Sequence, residues 1–154
     1  SMLVTEMTCY YAEQGMTLYD ALCALYAKYG YFKEKVLSKT LSGIEGIAKI
    51  KAAVEAVRKE APKEIAGYPV TAVRDYQLQK RTDLLTGEET PIDLPQSNVL
   101  FFEMGGDSFV LRPSGTEPKL KAYITASAQT DEEAESKFAA ILQAVSDLMD
   151  DLTK

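Results

Sequence analysis

Residues 98–127 limit the possible folds more than any other part of this chain. Asn98–Met104 is a short apolar segment and Asp107–Arg112 a second, and paired glycines, Gly105 and Gly106, lie between them. Paired glycines accept the backbone angles that a tight two-residue turn demands, so the two segments predict a β-hairpin. Lys119–Ser127 then alternates, with Leu120, Ala122, Ile124 and Ala126 on one side and Lys121, Tyr123 and Thr125 on the other. That period of two predicts a strand with one face buried. Val70–Tyr76 adds an earlier strand, and Leu84–Pro95 reads as a polar loop with a TGEE turn.

Helical patterns flank these strands. From Ser42, residues Ile47, Ile50, Val54, Val57 and Ala61 share a face until Pro62 ends it. After Thr130, residues Phe138, Ile141, Leu142, Val145, Leu148 and Leu152 line another. The order from residue 42 is helix, four strands, helix. The expected fold is therefore α+β: a four-stranded, mainly antiparallel sheet with two helices on one face.

Residues 1–41 do not fit that unit. Residues 2–14 and 17–29 read as helices, with Gly15 and Gly30 as stops, and Tyr31–Leu41 reads as an extended connection. The domain division expected is thus 1–41 and 42–154, the first part being a helical remnant of a preceding domain. Capping boxes are expected at Thr17–Asp20, Ser42–Glu45 and Thr130–Glu133. Cys9 and Cys23 fall on apolar helical patterns and are expected to be buried free thiols. The tyrosines at 10, 11, 26, 29 and 31 suggest packing against something further.

Composition removes several functional classes. The chain of 154 residues has 46% apolar residues, enough for a core, and a net charge of -6, which disfavours nucleic acid as a partner. It contains no histidine, which excludes Ser-His and Cys-His nucleophile pairs and His-containing zinc sites. No apolar run is long enough to span a membrane and no secretory leader is visible, so a cytoplasmic protein without membrane partners is expected.

Against that acidic background, Arg112-Pro113-Ser114-Gly115-Thr116-Glu117-Pro118-Lys119-Leu120-Lys121 carries three basic residues and one acidic one. Successive amides at Ser114, Gly115 and Thr116 can form an anion-binding nest, with glycine easing the curl. Ser114 and Thr116 add hydroxyl donors, and Arg112 adds a planar fork suited to phosphate. Prolines at 113 and 118 stiffen both ends. A plain hairpin loop accounts for the Pro, Ser and Gly but not for the crowding of cations and hydroxyls. The order of residues matches neither a Walker A loop nor a Rossmann turn.

The stretch RPSGTEPKLKAY closely resembles the phosphate-binding loop in the last domain of the α-D-phosphohexomutase family, which includes phosphoglucomutases and phosphomannomutases. GMTLYDALCALYAKYGYF is similar to the helix–turn–helix closing that family's third domain, and TDEEAESKFAAILQAVSDLM to its final helix. The resemblance implies a four-domain enzyme that interconverts hexose 1-phosphate and hexose 6-phosphate through a phosphoserine and a bisphosphorylated sugar, assisted by Mg²⁺. This chain would be its C-terminal piece, with residues 1–41 left from the third domain and 42–154 forming the fourth. Arg112, Ser114, Gly115 and Thr116 would hold the phosphate that is not transferred, with Lys121 as a further basic contact.

The same resemblance implies hexose phosphates (glucose 1-phosphate and glucose 6-phosphate, or the mannose equivalents) and the remaining domains of the enzyme as partners. The sequence lacks the family's D-x-D-x-D metal loop and its nucleophile serine. The chain alone is therefore expected to be inactive and to hold no cofactor, with Mg²⁺ belonging to the full-length enzyme. Lys119-Leu120-Lys121-Ala122-Tyr123 is similar to the glucose and mannose phosphate mutases rather than to the phosphoglucosamine branch. The alternative is a stand-alone, non-catalytic module that binds phosphorylated metabolites.

Overall fold

A computed structural model describes residues 1–154, the side chain of Ile44 excepted. Helices α1 (Met2–Glu13) and α2 (Leu18–Tyr29) come first, then strand β1 (Tyr31–Thr40) and helix α3 (Gly43–Lys59). Short strands β2 (Glu64–Ile65), β3 (Tyr68–Pro69), β4 (Ala72–Asp75), β5 (Lys80–Asp83) and β6 (Glu89–Pro91) follow. The chain ends with β7 (Leu100–Met104), β8 (Asp107–Pro113), β9 (Lys119–Ala128) and α4 (Asp131–Leu152). Seven strands form one sheet in the order β1-β9-β8-β7-β4-β5-β6, while β2 and β3 pair separately. Every pairing is antiparallel.

The α+β class is as expected, but the sheet has seven strands where four were expected. The four are β4, β7, β8 and β9. The other three lie at the sheet's two margins, where burial leaves a weak imprint on sequence. Tyr31–Thr40, expected as an extended connection, pairs with β9 along its whole length, from Tyr31 opposite Ala128 to Thr40 opposite Lys119. As an edge strand it is half exposed on both faces, so it needs no strict alternation, and its lysines discourage pairing with a further strand. Lys33 bridges to Asp131 at 3.0 Å and to Glu135 at 3.1 Å, and Lys39 pairs with Asp150, which clamps this edge to α4. At the far margin, β5 and β6 form a polar hairpin: β5 precedes the expected loop, in residues for which no element is expected, and β6 lies within that loop.

α3 and α4 cover one face of the sheet. Ile50, Val54 and Val57 of α3 and Phe138, Ile141, Val145 and Met149 of α4 meet Leu100, Phe102, Phe109, Leu111, Leu120, Ala122 and Ile124. Phe102 and Phe109 face each other across the hairpin with stacked rings 4.3 Å apart. Ile47 departs from expectation: it is 53% exposed, because it lies at the margin of the buried line Gly46–Ile50–Ala53–Val57. Gly46 belongs on that line because a Cβ there would come within 2.8 Å of the Leu41 Cβ. The β7–β8 turn places only Gly105 at positive φ (70°), so one left-handed residue, not two, closes the hairpin.

Of the three expected capping boxes, Thr17–Asp20 is complete. The Asp20 amide donates to the Thr17 hydroxyl at 3.1 Å and the Thr17 amide to the Asp20 carboxylate at 2.8 Å. At Thr130 the hydroxyl accepts from the Glu133 amide at 3.3 Å. Ser42 makes no side-chain cap, because Gly43 takes φ +77° where a first-turn residue would supply helical geometry.

The first two helices are packed differently. α1 buries no residue and α2 buries only Ala21. Cys9 and Cys23 are consequently exposed free thiols, against the expectation that they are buried. Their apolar helical context is present, but no described part of the chain covers it. Tyr26 stacks on Tyr31 with ring centres 5.4 Å apart, tying α2 to the start of β1.

Candidate phosphate-binding site

The candidate site is the end of the β8–β9 hairpin. The Ser114 amide donates to the Lys119 carbonyl at 2.8 Å, and the Lys119 amide to the Glu117 carbonyl at 2.7 Å. The Leu41 amide donates to the Pro118 carbonyl at 2.9 Å, anchoring the loop to the end of β1. The loop is thus held in shape by backbone bonds before any ligand arrives. Residues 112–116, with Lys121 and Tyr123, line a shallow concavity of about 260 Å³ on this tip.

All five residues expected at the site (Arg112, Ser114, Gly115, Thr116 and Lys121) line this concavity. The donors differ from expectation in detail. The Ser114 amide is engaged in closing the hairpin and does not face a ligand. The Ser114 hydroxyl oxygen accepts from the amides of Thr116 at 3.4 Å and Glu117 at 3.3 Å, long bonds that an incoming anion can replace. Gly115 does not adopt the left-handed backbone expected of a nest. A Cβ there would meet no atom within 4 Å, so neither close packing nor the backbone angles require glycine at this position.

The charges sort into two sets. Glu117 and Lys119 pair at 2.8 Å, and the hydrogen bond from Lys119 holds the Glu117 carboxyl below its ordinary range. Arg112 and Lys121 stand directly opposite each other on β8 and β9. Among the described residues neither side chain has an ion-pair partner. Like charges placed opposite each other on a sheet repel, so the two together form a positive site that a dianion would relieve.

Lys121 shares the uncovered face of the sheet with Tyr123, because the alternation that buries Leu120, Ala122 and Ile124 turns the intervening residues outward. Tyr123 was not singled out from sequence. The signal was available: it lies two residues beyond Lys121 in an alternating strand. Further along the same face, Glu103 accepts from Arg81 at 3.0 and 2.9 Å and from Arg74. Those arginines hold its carboxyl below the ordinary range, with Arg81 the larger influence, and they are themselves paired. The unpaired cations therefore lie at the loop end.

Among the described residues no three His, Cys, Asp or Glu side chains converge as metal ligands. No helix is long and apolar enough to cross a membrane.

No protein-family model matches the chain. A phosphoglucomutase of Staphylococcus haemolyticus is 39% identical over 123 residues, which is 80% of this chain and 22% of that protein. Phosphoglucomutases of Staphylococcus epidermidis and Staphylococcus saprophyticus are 38% and 32% identical over 128 residues, covering 81% and 83% of the chain and 23% of each relative. The chain therefore spans less than a quarter of the length of these relatives. Among solved structures, the open form of Paramecium pp63/parafusin, a phosphoglucomutase, superposes with a TM-score of 0.56 at 13% identity. That superposition covers 89% of this chain and 24% of the parafusin chain and reports on fold alone. With 32–39% identity to phosphoglucomutases over about four fifths of its length, this chain belongs to the α-D-phosphohexomutase family.

Proposed function

We propose that this chain is the C-terminal, phosphate-binding part of a phosphohexomutase that interconverts hexose 1-phosphate and hexose 6-phosphate in the cytoplasm. Its β8–β9 loop grips the phosphate that is not being transferred. The observation that carries this reading is the unpaired, cross-strand couple of Arg112 and Lys121 beside the hydroxyls of Ser114 and Thr116 in a loop already closed by its own backbone. A phosphomonoester dianion offers one charge to each cation and enough lone pairs for both hydroxyls and the Gly115 amide. Charge-assisted bonds of this kind are worth roughly 1.5–3 kcal/mol each.

In this reading the loop contributes position rather than chemistry. It fixes one end of a sugar whose two ends carry phosphate in turn, so one clamp serves both orientations of the substrate. The nucleophilic serine and the aspartates for Mg²⁺ belong to other domains of the full-length enzyme, and this chain alone is inactive. The partition at residues 41 and 42 remains part of the proposal. β1, paired along β9 and hydrogen-bonded to the loop through Leu41, ties the two parts together.

A two-dimensional amide NMR titration with inorganic phosphate tests the clamp. Saturable shifts centred on residues 112–121 are expected, with a Kd on the order of 1 mM or tighter, and with loss of binding in Arg112→Ala. A spectrum unchanged at millimolar phosphate would overturn the reading of this loop as a pre-formed clamp.

A further inference from the structure

Tyr123 lies in the wall of the concavity and, among the described residues, is the one aromatic of that wall. Arg112, Lys121, Ser114 and Thr116 present donors or positive charge, and Gly115 and Pro113 present backbone and little else. An aromatic ring has a partly negative face, which repels a phosphate dianion and attracts the weakly positive C–H bonds of a neutral ring. Apart from its phenolic hydroxyl, which can donate to a phosphate oxygen, Tyr123 thus offers a ring face that suits what the phosphate is attached to rather than the phosphate itself.

Its position agrees with that division. Tyr123 follows Lys121 by two residues on the same face of β9, a displacement of roughly 7 Å along the strand. That distance is comparable to the reach from the phosphorus of a hexose 6-phosphate to its pyranose ring. The residues paired with Tyr123 are Val110 on β8 and Val36 on β1, both apolar and on the same face. They flank the ring on either side, so the surface changes from cationic at Arg112 and Lys121 to aromatic and aliphatic one step further from the tip. Tyr123 thus stands where the polar concavity gives way to the aliphatic surface of Val36 and Val110 beyond it.

Building on the phosphate-clamp reading above, we infer that Tyr123 is a substrate-positioning residue that packs its ring against the C–H face of the hexose, while the loop holds the phosphate. The ring makes the clamp prefer a phosphorylated sugar over free phosphate. It also limits the rotation of the sugar about its phosphoester bond.

The test compares inorganic phosphate with glucose 6-phosphate on the unaltered chain and on Tyr123→Ala and Tyr123→Phe, by amide NMR titration. The unaltered chain is expected to bind the sugar phosphate about threefold to tenfold more tightly than inorganic phosphate. Tyr123→Ala is expected to abolish that preference while leaving affinity for inorganic phosphate within about twofold, and Tyr123→Phe to keep most of it. Hexose C–H signals should move upfield on binding to the unaltered chain and to Tyr123→Phe, but not to Tyr123→Ala, a ring-current effect that a merely structural role would not produce. An unchanged preference in Tyr123→Ala overturns the role of Tyr123 alone. An equal loss of both ligands in Tyr123→Ala, with the β8–β9 amide spectrum preserved, overturns it in favour of a phosphate contact. Failure of the unaltered chain to bind inorganic phosphate overturns the clamp, and the role of Tyr123 with it.

Discussion

α2 and α4 are both amphipathic helices that open with a threonine cap, yet they end in opposite circumstances. α4 buries Ala134, Phe138, Ile141, Val145 and Met149 against the sheet. α2 leaves Leu22, Leu25 and Tyr29 exposed and buries only Ala21. A helical apolar stripe states that a face needs covering; it does not say whether the covering lies in the same chain. For α4 the cover is the alternating face of β9 and β1. For α1 and α2 no described residue provides one. Stability should accordingly be concentrated in the layer of sheet, α3 and α4.

The largest test of that contrast is a pair of truncations. Phe109→Ala removes a fully buried ring stacked on Phe102 and should cost about 3–5 kcal/mol, whereas Leu25→Ala, half exposed on α2, should change stability by less than about 0.5 kcal/mol. Urea denaturation midpoints decide it. Comparable losses would mean that α2 is integrated into the cooperative unit after all.

A smaller effect is expected from pH. Because Arg81 and Arg74 hold the Glu103 carboxyl below its ordinary range, the folded state binds that proton more weakly than the unfolded chain does. The stabilisation is fully present above the unfolded value of about 4.3 and is lost as pH falls through the lower folded value. Glu103→Gln should therefore lower stability by about 1 kcal/mol at neutral pH and flatten its acid dependence. An acid limb of the same slope in the variant would remove Glu103 from the account.

The last effect is of similar size but local. Thr17→Ala removes the α2 cap and should weaken that helix by about 1 kcal/mol. If α2 opens independently, its amides should exchange faster in the variant while those of β8 and β9 keep their protection. Equal acceleration in both regions would erase the distinction between them.

Legibility in the sequence followed burial. β7, β8, β9 and α4 were readable because one face of each is buried, and burial writes its period into residue choice. β1, β5 and β6 were not: β1 and β6 are edge strands, β5 beside the margin is half-exposed on both faces, and Lys33, Lys35 and Lys39 look the same in a loop. Cys9 and Cys23 were misjudged for the converse reason: the local pattern was apolar, but its cover is absent from the described residues.

The same distinction applies to the site. The composition of RPSGTEPKLKAY and its resemblance to a known loop were enough to single out Arg112, Ser114, Gly115, Thr116 and Lys121 as neighbours, because they sit close together in the chain. Which donors face a ligand depended on the hairpin: its closure occupies the Ser114 amide, and the Glu117–Lys119 pair neutralises two charges. That Arg112 and Lys121 stand opposite each other, with Tyr123 one step beyond, follows from the β8–β9 register. Local propensity and periodicity are written residue by residue, so the sequence carries them openly. Register, edge pairing and the partnering of charges depend on which distant segments meet, and only the folded sheet decides that.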